Sequence, residues 1–561
     1  MTPPAPHKHA RVVFAALFAI LVGIEASGLL PESNPLRALA AWAWVSFSIL
    51  VLVSIVADAL LPLTWGAFWT SSDVGWYLAA LLVPVGLLLF GITGYTYTQI
   101  NDEGLQQVVS GLVLIADRRD LGLFGLGFLG YPARHYLLAA LPSYLLGRSL
   151  ITLRIGFGLL YLGAYISFLA AVRSYLEARK AQGPMLLASV AGTGVALGSY
   201  PLLYSRLFEQ TSVPLAATLL FLAGLLRFLV RPGPLPGLWF IWALGFMPYT
   251  YTPSLAAWAL GMALLAYLAC RGSPIPKGPI WAGLSYGALT AAISTVLQVR
   301  AGLFPGRLSI GGTSDSIAAG FSGSGAQGWA SRLLEGFHAT LGIDETLIPA
   351  PLALGVIFIL MHSLRRKDYR VLGLCLWAGA TLVLSLALKG YWQRVPEIDI
   401  QRAMVVLPPL SVALVLYVSA HAQEFPDGRV KRGLLVSGVL FMLLGSAYVP
   451  LIRRVPRAYY PFAVTDREEA AMLVVNTAGQ GAKTVYLLPP LYFPLEEPLR
   501  YFSPGTRVVR GFPPGGEHRP GVYVISYIGV EPYRAEDPYA RFADHPVRYR
   551  HPGPTLGISP E

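Results

Sequence analysis

The sequence predicts a mostly α-helical protein that crosses a membrane many times and carries a small α/β domain at its C-terminal end. Of its 561 residues 55% are hydrophobic and only 13% are charged, whereas a soluble domain carries about 25% charged residues. Apolar runs of about 17 to 25 residues recur, each long enough to cross a hydrocarbon core of about 30 Å. Past residue 455 the composition becomes that of a soluble domain.

The apolar runs predict about thirteen spans. They lie near 11–31, 38–62, 74–98, 149–172, 184–203, 211–230, 236–250, 253–270, 279–299, 347–363, 371–389, 403–420 and 433–451. The runs do not alternate apolar and polar residues, which excludes a lipid-spanning barrel. The first run lacks a small-residue cleavage site, so we interpret it as a span and not as a removed signal.

Loop charge predicts the orientation of these spans. The net charge is +12, and because many Lys and Arg residues fall in short loops, we attribute it to membrane topology and expect no nucleic-acid partner. With Lys8 and Arg11 in the cytoplasm, the loops "RSYLEARK", "RFLVRPG", "CRGSPIPKG", "LRRKDYR" and "GRVKRG" fall on the same side. The less basic connections 99–148, 300–346, 390–402 and the C-terminal tail face the extracytoplasmic side.

The predicted spans divide the chain into three regions: an N-terminal pair of spans at 1–73, a transmembrane catalytic region at 74–454, and a soluble extracytoplasmic domain at 455–561. In the last region, "TDREEAAMLVVNTA" begins with a capping box and predicts a helix, as does "PLEEPLRYF". The segments "KTVYLLP", "TRVVRGF" and "GVYVISYIG" predict strands. No chemistry is assigned to this domain.

The two long outer connections differ in character. In 99–148, "DEGLQQVVSGLVLIA" has the spacing of a helix lying in the membrane interface. A second interfacial or re-entrant helix is predicted in "ARHYLLAALPSYLLG", because it is too short to span and contains Pro142. In 300–346, the Gly- and Ser-rich stretch "SIGGTSDSIAAGFSGSGAQG" predicts a flexible linker, with backbone contact to a ligand as the alternative.

The acidic pair Asp102 and Glu103 is the first candidate for chemistry, because ionisable groups at a membrane boundary are costly without a function. Either residue could instead cap the helix that follows, where a carboxylate accepts backbone N–H groups and complements the helix dipole. The functional interpretation is a general base or a metal ligand acting at the membrane surface. From the residues alone, the two interpretations are evenly balanced.

The order of motifs resembles the GT-C superfamily of polytopic glycosyltransferases, in the branch of protein O-mannosyltransferases and lipid A aminoarabinose transferases. That branch has an Asp-Glu motif, a Pro-Pro-hydrophobic-Tyr-Tyr-Leu segment, a Phe-Gly or Leu-Gly step, an Arg opening the next span, and a late Arg-Tyr-x-Leu-Pro motif. The corresponding residues here are Asp102-Glu103, Tyr131-Pro132 through Tyr136-Leu137, Leu146-Gly147, Arg154, and Arg402 with Pro408 and Pro409. The likeness covers roughly residues 74–420.

The resemblance implies transfer of a sugar from a polyprenyl-phosphate carrier to a protein, lipid or glycan acceptor, on the extracytoplasmic side of a bacterial-type plasma membrane. Asp102 would be the catalytic base and Glu103 would support it. The leaving phosphate needs positive charge, for which Arg402, Arg134 and Arg394 are the candidates. For Arg134 and Arg394 snorkelling at the interface is the slightly favoured alternative. No cofactor is certain, and Mg²⁺ or Mn²⁺ stays open because pyrophosphate donors often use one whereas a monophosphate held by Arg needs none.

The sequence departs from the family pattern at several positions. Tyr131 stands where a Lys is common, and Arg134 is the nearest replacement for its charge. No Asp occurs in the next outer loop, so Glu209 is the only nearby second acid, with pairing to Arg206 as the simpler interpretation. His135, Tyr131 and Tyr249 are candidates for acceptor or sugar contacts, with an interfacial role for His135 and an aromatic-belt role for Tyr249 as the favoured alternatives.

Two other functions fit the composition. A transporter or flippase of a lipid-linked substrate would place ionisable residues within spans and show inverted repeats. A non-catalytic accessory subunit would bind a partner through its outer domain.

Overall fold

The computed structural model describes residues 8–64, 122–125, 134–147, 150–180, 212–250, 253–270 and 275–301, five strands, and single or short groups of residues between 78 and 417. The chain divides into two compact units. The first comprises Met1–Phe90, Phe157–Arg206 and Thr211–Ile452, and the second comprises Gly91–Gly156, Leu207–Gln210 and Arg453–Glu561. The three-region division of the sequence stays a prediction.

Eight helices are described. They are α1 Lys8–Ser27, α2 Pro35–Thr64, α3 Arg134–Leu146, α4 Leu150–Ala178, α5 Ser212–Val230, α6 Pro234–Phe246, α7 Pro253–Cys270 and α8 Lys277–Arg300, with a 3₁₀ turn at Met247–Tyr249 after α6. Seven of them coincide with predicted spans, and α3 is the predicted short helix. Within the described residues, five helices are long and apolar enough to cross a membrane: α1, α2, α4, α5 and α8. The chain is an integral membrane protein, whereas the count of thirteen spans stays a prediction.

Contacts between helices fix their relative directions in the first unit. Trp239 donates to Ser54 Oγ at 2.8 Å and Trp242 donates to Ser48 Oγ at 3.0 Å, so α2 and α6 are antiparallel. In contrast, α1, α6 and α8 run the same way, because Phe14 and Pro279 both lie beside Gly237 near their amino ends. These directions match the alternation that the predicted spans require.

Close helix packing in this unit depends on glycine. A Cβ on Gly224 of α5 would lie 2.6 Å from the backbone nitrogen of Phe240 in α6. Likewise, a Cβ on Gly287 of α8 would lie 2.7 Å from Met262 Sδ in α7. Since lipid provides no hydrophobic drive between helices, such small-residue contacts and interhelical hydrogen bonds carry the association.

Most basic side chains of the described first-unit helices gather at one end, which we call the basic end. They are Arg11, Arg173, Arg179, Lys180, Arg227, Arg231 and Lys277. The opposite end of the described first-unit helices holds Glu25, Glu32, Arg37 and Arg300. This asymmetry is what the positive-inside rule expects if the basic end is cytoplasmic.

The second unit contains a five-stranded sheet of order β2-β1-β3-β5-β4. Its strands are β1 Thr484–Leu487, β2 Arg507–Arg510, β3 Val522–Ser526, β4 Val547–Arg550 and β5 Thr555–Ile558. The first three were predicted and pair in parallel around β1, whereas β4 and β5 form an antiparallel hairpin on β3 that was not predicted. The helices predicted for this domain lie outside the described residues.

Candidate functional site

The structure describes only part of the predicted site. Six of its residues lie outside the described residues: Asp102, Glu103, Tyr131, Glu209, Arg394 and Arg402. His135 is the second residue of α3, and its backbone alone is described. Arg134 belongs to the second unit and Tyr249 to the first. The roles assigned to these residues therefore remain predictions, and of this set only Arg134 and Tyr249 have described side-chain surroundings.

Arg134 is the first residue of α3 and is completely buried. Its Nε donates a hydrogen bond of 3.1 Å to the carbonyl oxygen of Leu123, and its guanidinium carbon lies 5.0 Å from the centre of the Phe124 ring. The partner segment is a tight turn in which the amide of Gly125 donates to the carbonyl of Gly122 at 2.8 Å. Gly122 has a φ of 65°, which glycine adopts without strain. Arg134 thus ties this turn to the amino end of α3.

The Leu146-Gly147 step has a direct structural reason. Gly147 follows α3 with a φ of 98°, a conformation that ends a helix and favours glycine. The hydroxyl of Thr152 in the next helix donates to the carbonyl of Gly147 at 2.7 Å. Arg154, the residue matched to the family position that opens the next span, is 2% exposed. The motif therefore encodes a helix stop followed at once by a new helix.

A buried carboxylate lies at the end of the first-unit helices that is opposite the basic end. Glu25 of α1 is completely buried, and its two oxygens each accept a hydrogen bond of 2.9 Å. Oε2 accepts from the hydroxyl of Tyr249, at the end of the 3₁₀ turn, and Oε1 accepts from the hydroxyl of Tyr286 in α8. Both rings are themselves buried. We call these three residues the Glu25 triad.

Glycine at the surface of α6 gives Tyr286 its position in the triad. A Cβ on Gly245 would lie 2.1 Å from the Tyr286 ring, so the ring rests directly on the α6 backbone. Phe18 of α1 meets the same ring edge-on at a centroid distance of 6.3 Å. The side chain of Tyr286 therefore crosses α6 to reach α1, and this crossing requires glycine at position 245.

Two arginines cap the carboxyl end of α1 just beyond the triad. Arg37 donates to the carbonyl of Leu30 at 3.0 Å, and Arg300 donates to the carbonyl of Leu29 at 3.2 Å. Cations complement the negative end of a helix dipole. Tyr249 has none of the exposure expected of an aromatic belt, because it is fully buried and bonded to Glu25.

An ion pair lies at the basic end. Arg227 of α5 contacts the carboxylate of Asp58 in α2, with its Nε 2.6 Å from Oδ2, and also contacts the hydroxyl of Ser174 in α4. Three helices thus meet at one guanidinium. Asp58 is 36% exposed at its side chain, so water screens this pair in part.

Glu25 was not singled out from the sequence, although a signal existed. It is the one acidic residue inside the first apolar run, and an ionisable residue within a span is a candidate for function. Its two partners lie 224 and 261 residues away in the chain, so no local pattern connects them. In the described residues no group of three or more His, Cys, Asp or Glu could hold a metal ion.

No protein-family model and no curated protein matches the chain. Among solved structures the chain is similar to ArnT from Cupriavidus metallidurans bound to undecaprenyl phosphate, with a TM-score of 0.49 and 13% identity over 87% of this chain and 98% of that one. It is also similar to the arabinofuranosyltransferase AftD from Mycobacteria (TM-score 0.34, 15% identity, 78% of this chain and 32% of that one). A third is the Archaeoglobus fulgidus oligosaccharyltransferase (TM-score 0.33, 14% identity, 91% and 73%).

The names of the second and third describe enzymes that transfer sugars, an arabinofuranosyltransferase and an oligosaccharyltransferase. At these TM-scores and identities the comparison does not assign the chain to a family.

Proposed function

We propose that the protein is a membrane glycosyltransferase that moves a hexosyl or pentosyl group from a polyprenyl-phosphate carrier to an acceptor on the extracytoplasmic face. The observation that carries this proposal is the order of motifs along the chain, from Asp102-Glu103 through the Leu146-Gly147 step to Arg402. The Leu146-Gly147 step supports the proposal, because Gly147 ends α3 in a conformation that favours glycine, which gives this motif position a structural reason.

Helix direction supports the extracytoplasmic side. Segment 99–148 leads directly into α4, and α4 runs toward the basic end, where Ser174 meets Arg227. The predicted catalytic residues therefore come before the amino end of α4, which is the end away from the basic end. Because Lys and Arg mark the cytoplasmic side, this order favours placing Asp102 outside the cytoplasm.

Each proposed role follows from the chemistry of the transfer. The acceptor nucleophile must lose a proton, which Asp102 would accept while Glu103 holds the acceptor or the base in place. The leaving phosphate gains negative charge, which the guanidinium of Arg402 would bind, with Arg394 as a second donor. A divalent cation remains an open part of the proposal, to be tested by chelation.

The decisive experiment replaces the base. Asp102→Asn keeps the shape of the side chain but removes its basicity, so transfer from a labelled polyprenyl-phospho-sugar should fall at least about 100-fold. Asp120→Asn, in the same outer segment, is the matched control and should keep transfer near the wild-type rate. Undiminished transfer by Asp102→Asn at normal expression would remove Asp102 from the role of base.

One observation favours the transporter alternative. Glu25 is an ionisable residue buried within the helical bundle, which a transporter of lipid-linked substrates would be expected to contain. Its oxygens are, however, both bonded to tyrosine hydroxyls. Reconstitution in vesicles separates the two functions, because a transporter moves a labelled lipid-linked sugar between leaflets without forming a glycosylated product.

A further inference from the structure

Arg134 has an unusual position for a charged residue. It is the first residue of α3, where the positive end of the helix dipole disfavours a cation. It is also completely buried, which costs further free energy unless the guanidinium is compensated. The carbonyl of Leu123 and the face of Phe124 are two compensating contacts, and both come from one turn.

These contacts close a loop. Leu123 and Arg134 lie eleven residues apart and are joined by the Nε hydrogen bond. The chain between them carries Tyr131 and Pro132, the residues matched to the family motif. Both ends of that stretch are held, one by the turn at Gly122 and the other by the start of α3. The contacts of Arg134 therefore join the two ends of this stretch.

We propose that Arg134 is a positioning residue, which closes this loop by joining the two described ends of the stretch that carries Tyr131 and Pro132, and that it is not a ligand of the donor phosphate. A bidentate phosphate contact needs a guanidinium fork that the ligand can reach, and Arg134 has no exposed surface. The catalytic part of this proposal rests on the proposed glycosyltransferase function. The loop-closing part does not depend on that function.

The test compares conservative variants in the full-length protein. Arg134→Lys keeps the positive charge but loses the Nε–H group and the planar face that stacks on a ring. Phe124→Leu removes the ring and leaves the charge untouched. Arg118→Gln, in the same outer segment, is the matched control for loss of a positive charge. Each purified variant is assayed for transfer kinetics with a polyprenyl-phospho-sugar and for hydrogen exchange over residues 122–137.

A positioning role predicts a specific pattern. Arg134→Lys and Phe124→Leu should each lower kcat about 10-fold or more, since small misplacements of reacting groups cost up to about 100-fold. The KM for the donor should stay within about 2-fold of the wild type. The double variant should be no slower than the slower single variant, because both changes break the same contact. Hydrogen exchange over 122–137 should speed up in both variants and not in Arg118→Gln.

Each of the following outcomes would refute a different part of the proposal. Suppose that Arg134→Lys transfers the sugar at near the wild-type rate and that Arg134→Gln raises the donor KM 10-fold or more. Arg134 would then be a phosphate ligand and not a positioning residue. Unchanged hydrogen exchange in Arg134→Lys and Phe124→Leu would refute loop closure. Faster exchange with unchanged kcat would refute the catalytic part. If the wild type shows no transfer at all, the proposed function fails, and the exchange measurement still decides whether Arg134 closes the loop.

Discussion

Removing the carboxylate of Glu25 should weaken the first unit measurably. In Glu25→Ala the hydroxyls of Tyr249 and Tyr286 lose the Glu25 carboxylate as an acceptor while remaining buried. Removing one partner of a buried hydrogen bond costs about 1–3 kcal/mol, whereas single polar contacts between membrane helices average about 0.6 and reach about 1.7 kcal/mol. Because the substitution removes both hydrogen bonds, we expect the free energy of unfolding to fall by about 1–3 kcal/mol.

Further variants divide this effect between the two hydrogen bonds. Tyr249→Phe and Tyr286→Phe each remove one hydroxyl and should cost about 0.6–1.7 kcal/mol. Glu25→Gln keeps an acceptor oxygen and should cost less than Glu25→Ala. Glu177→Ala is the control, because Glu177 pairs with Arg173 at an exposed position of α4 and should change stability by under about 0.5 kcal/mol.

Unfolding of the detergent-solubilised protein by SDS, followed by tryptophan fluorescence, measures these differences. The double variant Glu25→Ala with Tyr286→Phe should cost less than the sum of the two single changes, since both remove the same hydrogen bond. If Glu25→Ala is no more destabilising than Glu177→Ala, the triad does not hold α1 to the bundle and the reasoning from its burial is wrong.

Three more predictions follow from packing and charge. Gly245→Ala should destabilise at least as much as Tyr286→Phe, because its Cβ would lie 2.1 Å from the Tyr286 ring; equal stability to the wild type in SDS unfolding would contradict this. Lys180→Gly should stabilise the protein by up to about 1 kcal/mol, because Lys180 has a φ of 55°, which costs a residue with a Cβ more than it costs glycine; a fall in stability would contradict this. Asp58→Ala and Arg227→Ala should couple by about 1 kcal/mol in a double-mutant cycle at low salt, with additive effects refuting the ion pair.

The helices and the first three strands could be predicted because their signals are local. An apolar run of sufficient length predicts a helix in a membrane wherever it lies, and the described α1, α2, α5, α7 and α8 follow those runs closely. Pro142 and the short apolar run likewise predicted α3. The hairpin of β4 and β5 was missed, although the intervening "HPGP" is a turn signal, because each strand is only 4 residues long.

Contacts between distant parts of the chain could not be predicted. Nothing near Glu25 indicates that Tyr249 and Tyr286 would meet it, and nothing near Arg134 indicates that it would lie on Phe124. Glu25 and its two tyrosines are brought together by parallel helices, and the ring of Tyr286 can reach Glu25 only because position 245 is glycine. The pairing is a property of packed surfaces, so the separate segments contain no information about it.

The amino-acid sequence alone determined that this protein lies in a membrane, where most of its described helices begin and end, and which of their ends carry positive charge. Those features depend on transfer of short segments into lipid, and each segment contributes independently of the others. Only the tertiary structure decided that Glu25 is shared by two tyrosines and that Arg134 is enclosed. In lipid, where apolar surfaces attract one another little, the side chains that meet are decided by steric fit and hydrogen bonds between helices far apart in the chain.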